Sequence, residues 1–132
     1  MKGLCYEKDN GIRTAFPQTI KEQKTDGDGN IGVPHPYTSP CAKEDFQNLF
    51  YWDTRFMNLG LLRIGMQAQA KNNTEDLLFL VDKLGYVPSA NSWSMTNCSQ
   101  PPLLGWMVRD IFANTGDRDW LTRVHPWLNC GL

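Results

Sequence analysis

The chain has 132 residues, a formal net charge of −1, 41% hydrophobic residues and 20% charged residues. This length allows one small domain at most, and the composition is typical of a soluble globular protein. The nearly neutral charge gives no electrostatic basis for binding nucleic acid or an anionic membrane surface.

Residues 1–42 are polar and rich in Gly, Pro and Lys, and we expect them to form an irregular segment that leads into the domain. The first residues lack the apolar core of a signal peptide. No apolar run approaches the roughly 18 residues that a membrane span needs. We therefore expect a cytoplasmic protein with no membrane partner.

No metal or other cofactor is predicted. The run DGDGN at residues 26–30 suggests a calcium loop, but Ile31 and Tyr37 stand where an EF-hand loop requires Gly and Glu. We interpret the run as a turn. The four cysteines contain no close pair of the kind that zinc sites use, and reduced thiols are expected at all of them: Cys5, Cys41, Cys98 and Cys130.

Four helices are predicted after this segment, and the first runs from about residue 53 to residue 65. Its expected apolar side carries Phe56, Leu59 or its neighbour Gly60, and Ile64. Asp53 is placed to cap the helix or to lie in its first turn, where its charge meets the positive end of the helix dipole.

The other three helices are predicted from apolar residues that recur at helical spacing and from Gly or Pro residues near their ends. The second covers about residues 74–84, with Gly85 as its C-terminal stop. The third covers about residues 101–114, with two prolines in its first turn. The fourth begins near Asp117, and Pro126 is expected to kink or break it.

Polar and aromatic side chains collect where two of these helices begin. One cluster is residues 50–53, the second is Asn91 with Trp93 in the loop 86–100, and the third is residues 97–102 at the entry of the third helix. The loop is long enough to suggest a function. Aromatic rings cover the C–H faces of sugars, and Asp, Asn and Gln bond sugar hydroxyls. Each residue also has a purely structural interpretation, because Trp52 alone is more often a core residue and Asp53 alone is as often a cap.

The stretches FQNLFYWDTRFMNLGLL at residues 46–62 and AKNNTEDLLFLVDKLGYVPSANSWSMTNCSQPPLLGWMVRDIF at residues 70–112 resemble the trehalase family of glycoside hydrolases. That family carries a YYWDSYF motif, then a PNGNR loop, then RSQPP at the start of a helix. Here the same order is kept by the YWD of residues 51–53, by Pro88 with Asn91, and by the SQPP of residues 99–102.

The resemblance implies an all-α fold in which residues 43–132 form helical hairpins, about one third of an (α/α)6 toroid. It implies hydrolysis of a small α-glucoside such as trehalose, with inversion, by an acid and a base roughly 6.5–9.5 Å apart. Both catalysts are expected outside this chain, which by itself is predicted to be inactive. The resemblance places sugar-binding residues at Phe46, Tyr51, Trp52, Asp53, Asn91 and Gln100.

Several positions depart from the family pattern, and three of them replace an arginine. Gln47, Ser92 and Cys98 stand where the family has arginine, whose forked donor group neither an amide, a hydroxyl nor a thiol replaces. The exact glycoside is therefore left open. Two other functions also stay open: an inactive carbohydrate-binding remnant, and a free-standing small helical domain whose aromatic residues only fill its core.

Overall fold

The computed structural model describes residues 14–43 and 45–130. Residues 14–19 are helical and are labelled α1. The later elements are, in chain order, β1 (Ile20–Lys21), β2 (Tyr37–Thr38), α2 (Tyr51–Arg63), α3 (Gln67–Leu84), a short 3-10 turn (Trp93–Met95), α4 (Leu104–Thr115) and α5 (Arg118–Cys130). The predicted all-α class is confirmed, and the packed helices fit part of an all-α toroid.

The N-terminal segment is more regular than we expected, in the part that the structure describes. β1 and β2 pair antiparallel, with Ile20 opposite Thr38. Ile31, Val33 and Tyr37 are buried and join the core that the helices form. These few apolar residues are enough to bury the segment, although its Gly and Pro content is typical of a loop. A domain boundary at residues 42 and 43 stays a prediction, and residues 1–13 lie outside the described residues.

α3 lies at the centre of the fold, because it contacts α2, α4, α5 and β2. The predicted leucine stripe is its buried face, with Leu77, Leu78 and Leu80 completely enclosed. The helix ends where predicted, at Gly85, which takes a left-handed φ of +84°. Glycine reaches this conformation at no steric cost. None of the helices in residues 14–43 and 45–130 combines the length and apolar character that crossing a membrane requires.

The apolar pattern predicted the buried face of α2 only in part, because Ile64 is buried as expected but Phe56 and Leu59 are not. Phe56 is 57% exposed and Leu59 is 40% exposed, whereas Thr54 and Asn58 are buried. Asn58 Nδ2 donates to Thr74 Oγ1 on α3 at 3.0 Å. A polar side chain can face the core when a partner from another helix satisfies it, and an apolar pattern cannot detect such a partner.

α3 also begins earlier than the residue 74 that the sequence predicted, because of the same kind of bond. Gln69 Nε2 donates to the carbonyl oxygen of Pro36 at 2.8 Å. Asn73 Oδ1 accepts from the backbone N–H of Thr38 at 2.9 Å. These buried amides hold the first two turns of α3 against the strand β2, although the residues look solvent-exposed in the sequence.

The prolines in both later helices act differently from the predictions. α4 begins at Leu104 and not at Pro101, because a proline at residue 102 disfavours helical backbone at the residue before it. α5 runs through Pro126, so a break at this proline is wrong, and the alternative of a kink stays a prediction. Pro126 lies on the exposed side of α5, while Trp120 and Val124 are buried and hold the helix on its neighbours.

Candidate functional site

The start of α2 is tied to the loop of residues 86–100 by its first backbone donors. The N–H of Tyr51 donates to the carbonyl oxygen of Ser89 at 3.0 Å. The N–H of Trp52 donates to Gln100 Oε1 at 2.9 Å. These groups have no partner inside the helix, so the loop supplies the caps. Asp53 lies in the first turn, as one of the two predicted alternatives requires, and makes no side-chain cap.

A pocket of about 420 Å³ opens beside this helix start. Its lining combines three aromatic rings, a proline, a carboxylate and an amide: Pro40, Phe46, Phe50, Trp52, Asp53 and Gln100. Four of the six predicted sugar-binding residues are therefore brought together here. Trp52 is 44% exposed and Phe46 is 59% exposed, so neither ring is simply a core residue.

Phe46 holds a backbone conformation that non-glycine residues rarely adopt. Its φ is +53°, in the left-handed region. Its ring meets that of Phe50 edge-on, with centroids 5.6 Å apart. Such a conformation costs on the order of 1–3 kcal/mol and is often found at binding sites. An exposed aromatic residue kept in this strained geometry favours a role at the pocket over a role in the core.

Asp53 is the only ionisable residue of the described pocket lining. Its carboxylate has no hydrogen bond or ion pair with any residue in the described part of the chain. Gln100 has two roles, because its Oε1 caps α2 while the side chain also borders the pocket. The carboxylate and the amide are the groups available for bonding hydroxyls.

Tyr51 is not among the residues that line the pocket. Its side chain is buried, and its hydroxyl oxygen accepts the backbone N–H of Leu104 at 3.3 Å. Burial raises the pKa of this hydroxyl above its usual value. Tyr51 therefore joins the start of α2 to the start of α4, and its assignment as a sugar contact stays a prediction.

Asn91 does not line the pocket either and is completely buried. Its Oδ1 accepts the backbone N–H of Leu49 at 2.8 Å and the Nδ2 of Asn48 at 3.2 Å. Its Nδ2 donates to the carbonyl oxygen of Ile31 at 3.1 Å. We name this set of contacts the Asn91 clasp. It holds together three separate chain segments, at residues 31, 48–49 and 91.

None of the three positions that replace a family arginine lines the pocket. Gln47 Nε2 donates to the carbonyl oxygens of Cys41 at 3.2 Å and Asp45 at 2.9 Å. Ser92 Oγ donates to the carbonyl oxygen of Gly29 at 3.2 Å. Cys98 is an exposed free thiol. Gln47 and Ser92 therefore serve the loops, and no side chain replaces an arginine at the pocket.

The DGDGN turn is held by Asp26. Its Oδ1 accepts the N–H of Gly32 at 2.8 Å and pairs with Lys83 Nζ at 3.0 Å. The bond from Gly32, together with Lys83, lowers the pKa of this carboxyl. The turn also anchors Trp93, whose N–H donates to the carbonyl oxygen of Gly29, so Trp93 lies away from the pocket. No group of three His, Cys, Asp or Glu side chains in the described residues could hold a metal ion.

Sequence reasoning left Pro40 and Phe50 out of the predicted site. Phe50 stands in the aromatic cluster that drew attention to this stretch, so the signal was present. Pro40 belongs to the segment that was expected to be irregular, and nothing in the sequence shows that it approaches α2.

Comparisons with known proteins agree with the motif resemblance. A family model described as Trehalase matches residues 13–130. A probable trehalase of Oryza sativa subsp. japonica is 42% identical over 96 residues, which are 73% of this chain and 17% of that protein. A trehalase of Apis mellifera is 36% identical over 91 residues, which are 69% of this chain and 14% of that protein.

A periplasmic trehalase of Xanthomonas campestris pv. campestris is 33% identical over 78 residues, or 59% of this chain and 13% of that protein. The chain thus spans less than a fifth of the length of the curated relatives that it matches.

Proposed function

The chain belongs to the trehalase family, and on this premise we propose that the pocket beside α2 binds a glucose-sized unit of a small α-glucoside such as trehalose. The observation that carries the proposal is the lining itself. It offers aromatic faces for the C–H side of a sugar ring, with Asp53 and Gln100 placed for its hydroxyls. The volume lies in the range of small-molecule sites.

The strained backbone of Phe46 and the exposure of Trp52 support this proposal over the alternative of a helical domain with a purely structural aromatic cluster. Exposed apolar rings gathered around a cavity are typical of a binding site, and a sugar ring would cover them. Buried Trp120, by contrast, is the kind of aromatic residue that only a core explains.

We further propose that the reaction to which this pocket contributes is inverting hydrolysis of an α-glucosidic bond, with the catalysts supplied from outside this chain. Inversion uses two carboxyl groups roughly 6.5–9.5 Å apart, on opposite sides of the scissile bond. The described lining has a single carboxyl group, that of Asp53. By itself the chain should therefore bind sugar without cleaving it.

Calorimetric titration with trehalose tests the binding proposal. We expect measurable heat with the unchanged chain and at least about tenfold weaker binding in Trp52→Ala, because the ring face is lost. Trp106→Ala is the matched control, since Trp106 is equally exposed but lies on α4 outside the pocket. A folded chain that gives no heat, or an equal loss in both variants, would overturn the proposal.

An assay for released glucose tests the proposal on catalysis. We expect no release of glucose from trehalose by this chain. Release above the buffer rate that disappears in Asp53→Asn would show that Asp53 takes part in the chemistry and would overturn the assignment of catalysis to other residues.

A further inference from the structure

Phe46 lines the pocket although it lies outside the helices and strands, in the connection between β2 and α2. Its side chain is largely in solvent, so packing in the core does not fix the direction of its ring. Its φ of +53° is a conformation that a non-glycine residue keeps only where neighbouring groups enforce it. Specific bonds on both sides of Phe46 must therefore hold it in place.

The side chain of Gln47 supplies the bond on the N-terminal side. Its amide nitrogen carries two hydrogens. One is donated to the carbonyl oxygen of Asp45 at 2.9 Å. That carbonyl belongs to the peptide unit directly before Phe46, and rotation of this unit about the N–Cα bond of Phe46 is the angle φ. The Gln47 amide therefore acts directly on the strained angle.

The second hydrogen of the Gln47 amide ties Phe46 to a segment that is anchored in the core. It is donated to the carbonyl oxygen of Cys41 at 3.2 Å. The same oxygen accepts from Ser39 Oγ at 2.6 Å, and Ser39 is completely buried. Cys41 directly follows Pro40, which also lines the pocket. One amide thus bridges the residue after Pro40 and the residue before Phe46.

The chain on the C-terminal side of Phe46 is held by different groups. The N–H of Leu49 donates to Asn91 Oδ1 at 2.8 Å, within the Asn91 clasp. The hydroxyl of Tyr37 donates to the backbone carbonyl oxygen of Gln47 at 3.4 Å. Phe46 is therefore bracketed, with the Gln47 side chain before it and the clasp after it.

We propose that Gln47 is a positioning residue of the pocket, and that its amide keeps Phe46 in the left-handed conformation that places the Phe46 ring on the lining. This proposal rests on the proposed function, because it explains how one wall of the same pocket is built. An ordinary negative φ would redirect the Cα–Cβ bond of Phe46 and move its ring away from that of Phe50. Gln47 itself does not touch the sugar.

The variant Gln47→Met tests the proposal, because methionine has a similar length and no charge but offers no N–H group. Nuclear Overhauser effects between the ring protons of Phe46 and Phe50, whose centroids lie 5.6 Å apart, report the position of Phe46 without any ligand. We expect these signals in the unchanged chain and their loss in Gln47→Met.

Gln23→Met is the matched control. Gln23 Nε2 also donates to a carbonyl oxygen two residues away, that of Thr25 at 2.7 Å, but Gln23 does not line the pocket or contact Phe46 through this bond. The control should keep the signals between the two rings. Urea unfolding should show that both variants are folded.

Calorimetric titration with trehalose measures the consequence for binding. We expect about fivefold weaker binding in Gln47→Met, from the misplaced ring, and no change in Gln23→Met. In a chain that already carries Phe46→Gly, the change Gln47→Met should weaken binding by less than about twofold, because the ring that Gln47 positions is absent. A merely structural role of Gln47 would give the same factor in both backgrounds.

The possible results separate this proposal from the proposed function. Preserved signals between the two rings in folded Gln47→Met would overturn the positioning role, and so would an equal loss of affinity with and without the Phe46 ring. A Gln47→Met chain that does not fold would assign Gln47 to stability and would also overturn it. If trehalose does not bind to the unchanged, folded chain, the proposed function fails, whereas the ring signals still decide whether Gln47 positions Phe46.

Discussion

Asn91→Ala should destabilise the chain strongly, because the Asn91 clasp is completely buried. The substitution removes the acceptor of the Leu49 N–H and the donor to the Ile31 carbonyl. Both backbone groups lie in buried residues. Alanine is also too small to fill the space, so neither group gains a replacement from the protein.

The magnitude follows from the two orphaned groups. A buried donor or acceptor left without a partner costs about 1–3 kcal/mol. Two such groups give an expected loss of about 2–5 kcal/mol in the free energy of unfolding, since the bond from Asn48 is partly exposed and adds little. This is a large share of the stability of a small domain.

Urea unfolding of the unchanged chain and of Asn91→Ala, monitored by tryptophan fluorescence, measures the difference in their free energies of unfolding directly. Asn97→Ala is the matched control, because Asn97 is an exposed residue of the same loop. It should change the free energy of unfolding by less than about 0.5 kcal/mol. A loss below about 1 kcal/mol in Asn91→Ala, together with lost trehalose binding, would refute the structural role and favour a direct contact with sugar.

Three other substitutions test separate features. Asp76 is buried with its Oδ1 bonded to the N–H of His35, and burial raises its pKa to about 8. The free energy of unfolding should therefore fall as the pH rises from about 4 to about 8, by up to about 1.4 kcal/mol per pH unit. Asp76→Asn should remove this fall when urea unfolding is measured at successive pH values. A variant with an unchanged pH slope would contradict this. Phe46→Gly should leave stability within about 1 kcal/mol, because glycine accepts the φ of +53°, while trehalose binding weakens in calorimetry; a larger loss of stability would assign Phe46 to the core. Gln100→Ala should cost about 1 kcal/mol in thermal or urea unfolding by uncapping Trp52, whereas Gln100→Glu, which keeps the acceptor, should cost less.

The helices could be predicted from the sequence where apolar spacing and caps agree. The leucine stripe of α3 and the stop at Gly85 needed only local information, and the structure confirms both. The early start of α3 could not be predicted. Gln69 and Asn73 are buried by partners in residues 36–38, more than thirty positions away along the chain. Phe56 was wrongly expected to be buried, because the apolar pattern could not show that Asn58 has buried partners on α3.

The pocket was predicted better by motif order than by the chemistry of single residues. Trp52, Asp53 and Gln100 do come together, although Gln100 follows Trp52 by 48 positions. Asn91 shows the limit of this approach. Its position in the motif predicts that it lies near the pocket. Only the geometry shows that both polar atoms of its side chain are hydrogen-bonded within the protein.

The Asn91 clasp has a kinetic consequence as well. Its bonds close chain separations of 42 residues to Leu49 and 60 residues to Ile31. Contacts this distant in sequence form slowly, because a large loop must be ordered first, whereas the backbone hydrogen bonds within α3 and α4 join residues four positions apart. During refolding, helical circular dichroism should therefore recover before the pocket can hold a sugar. A newly made chain would pass through a helical, non-binding stage, and sugar would slow its unfolding without speeding its folding.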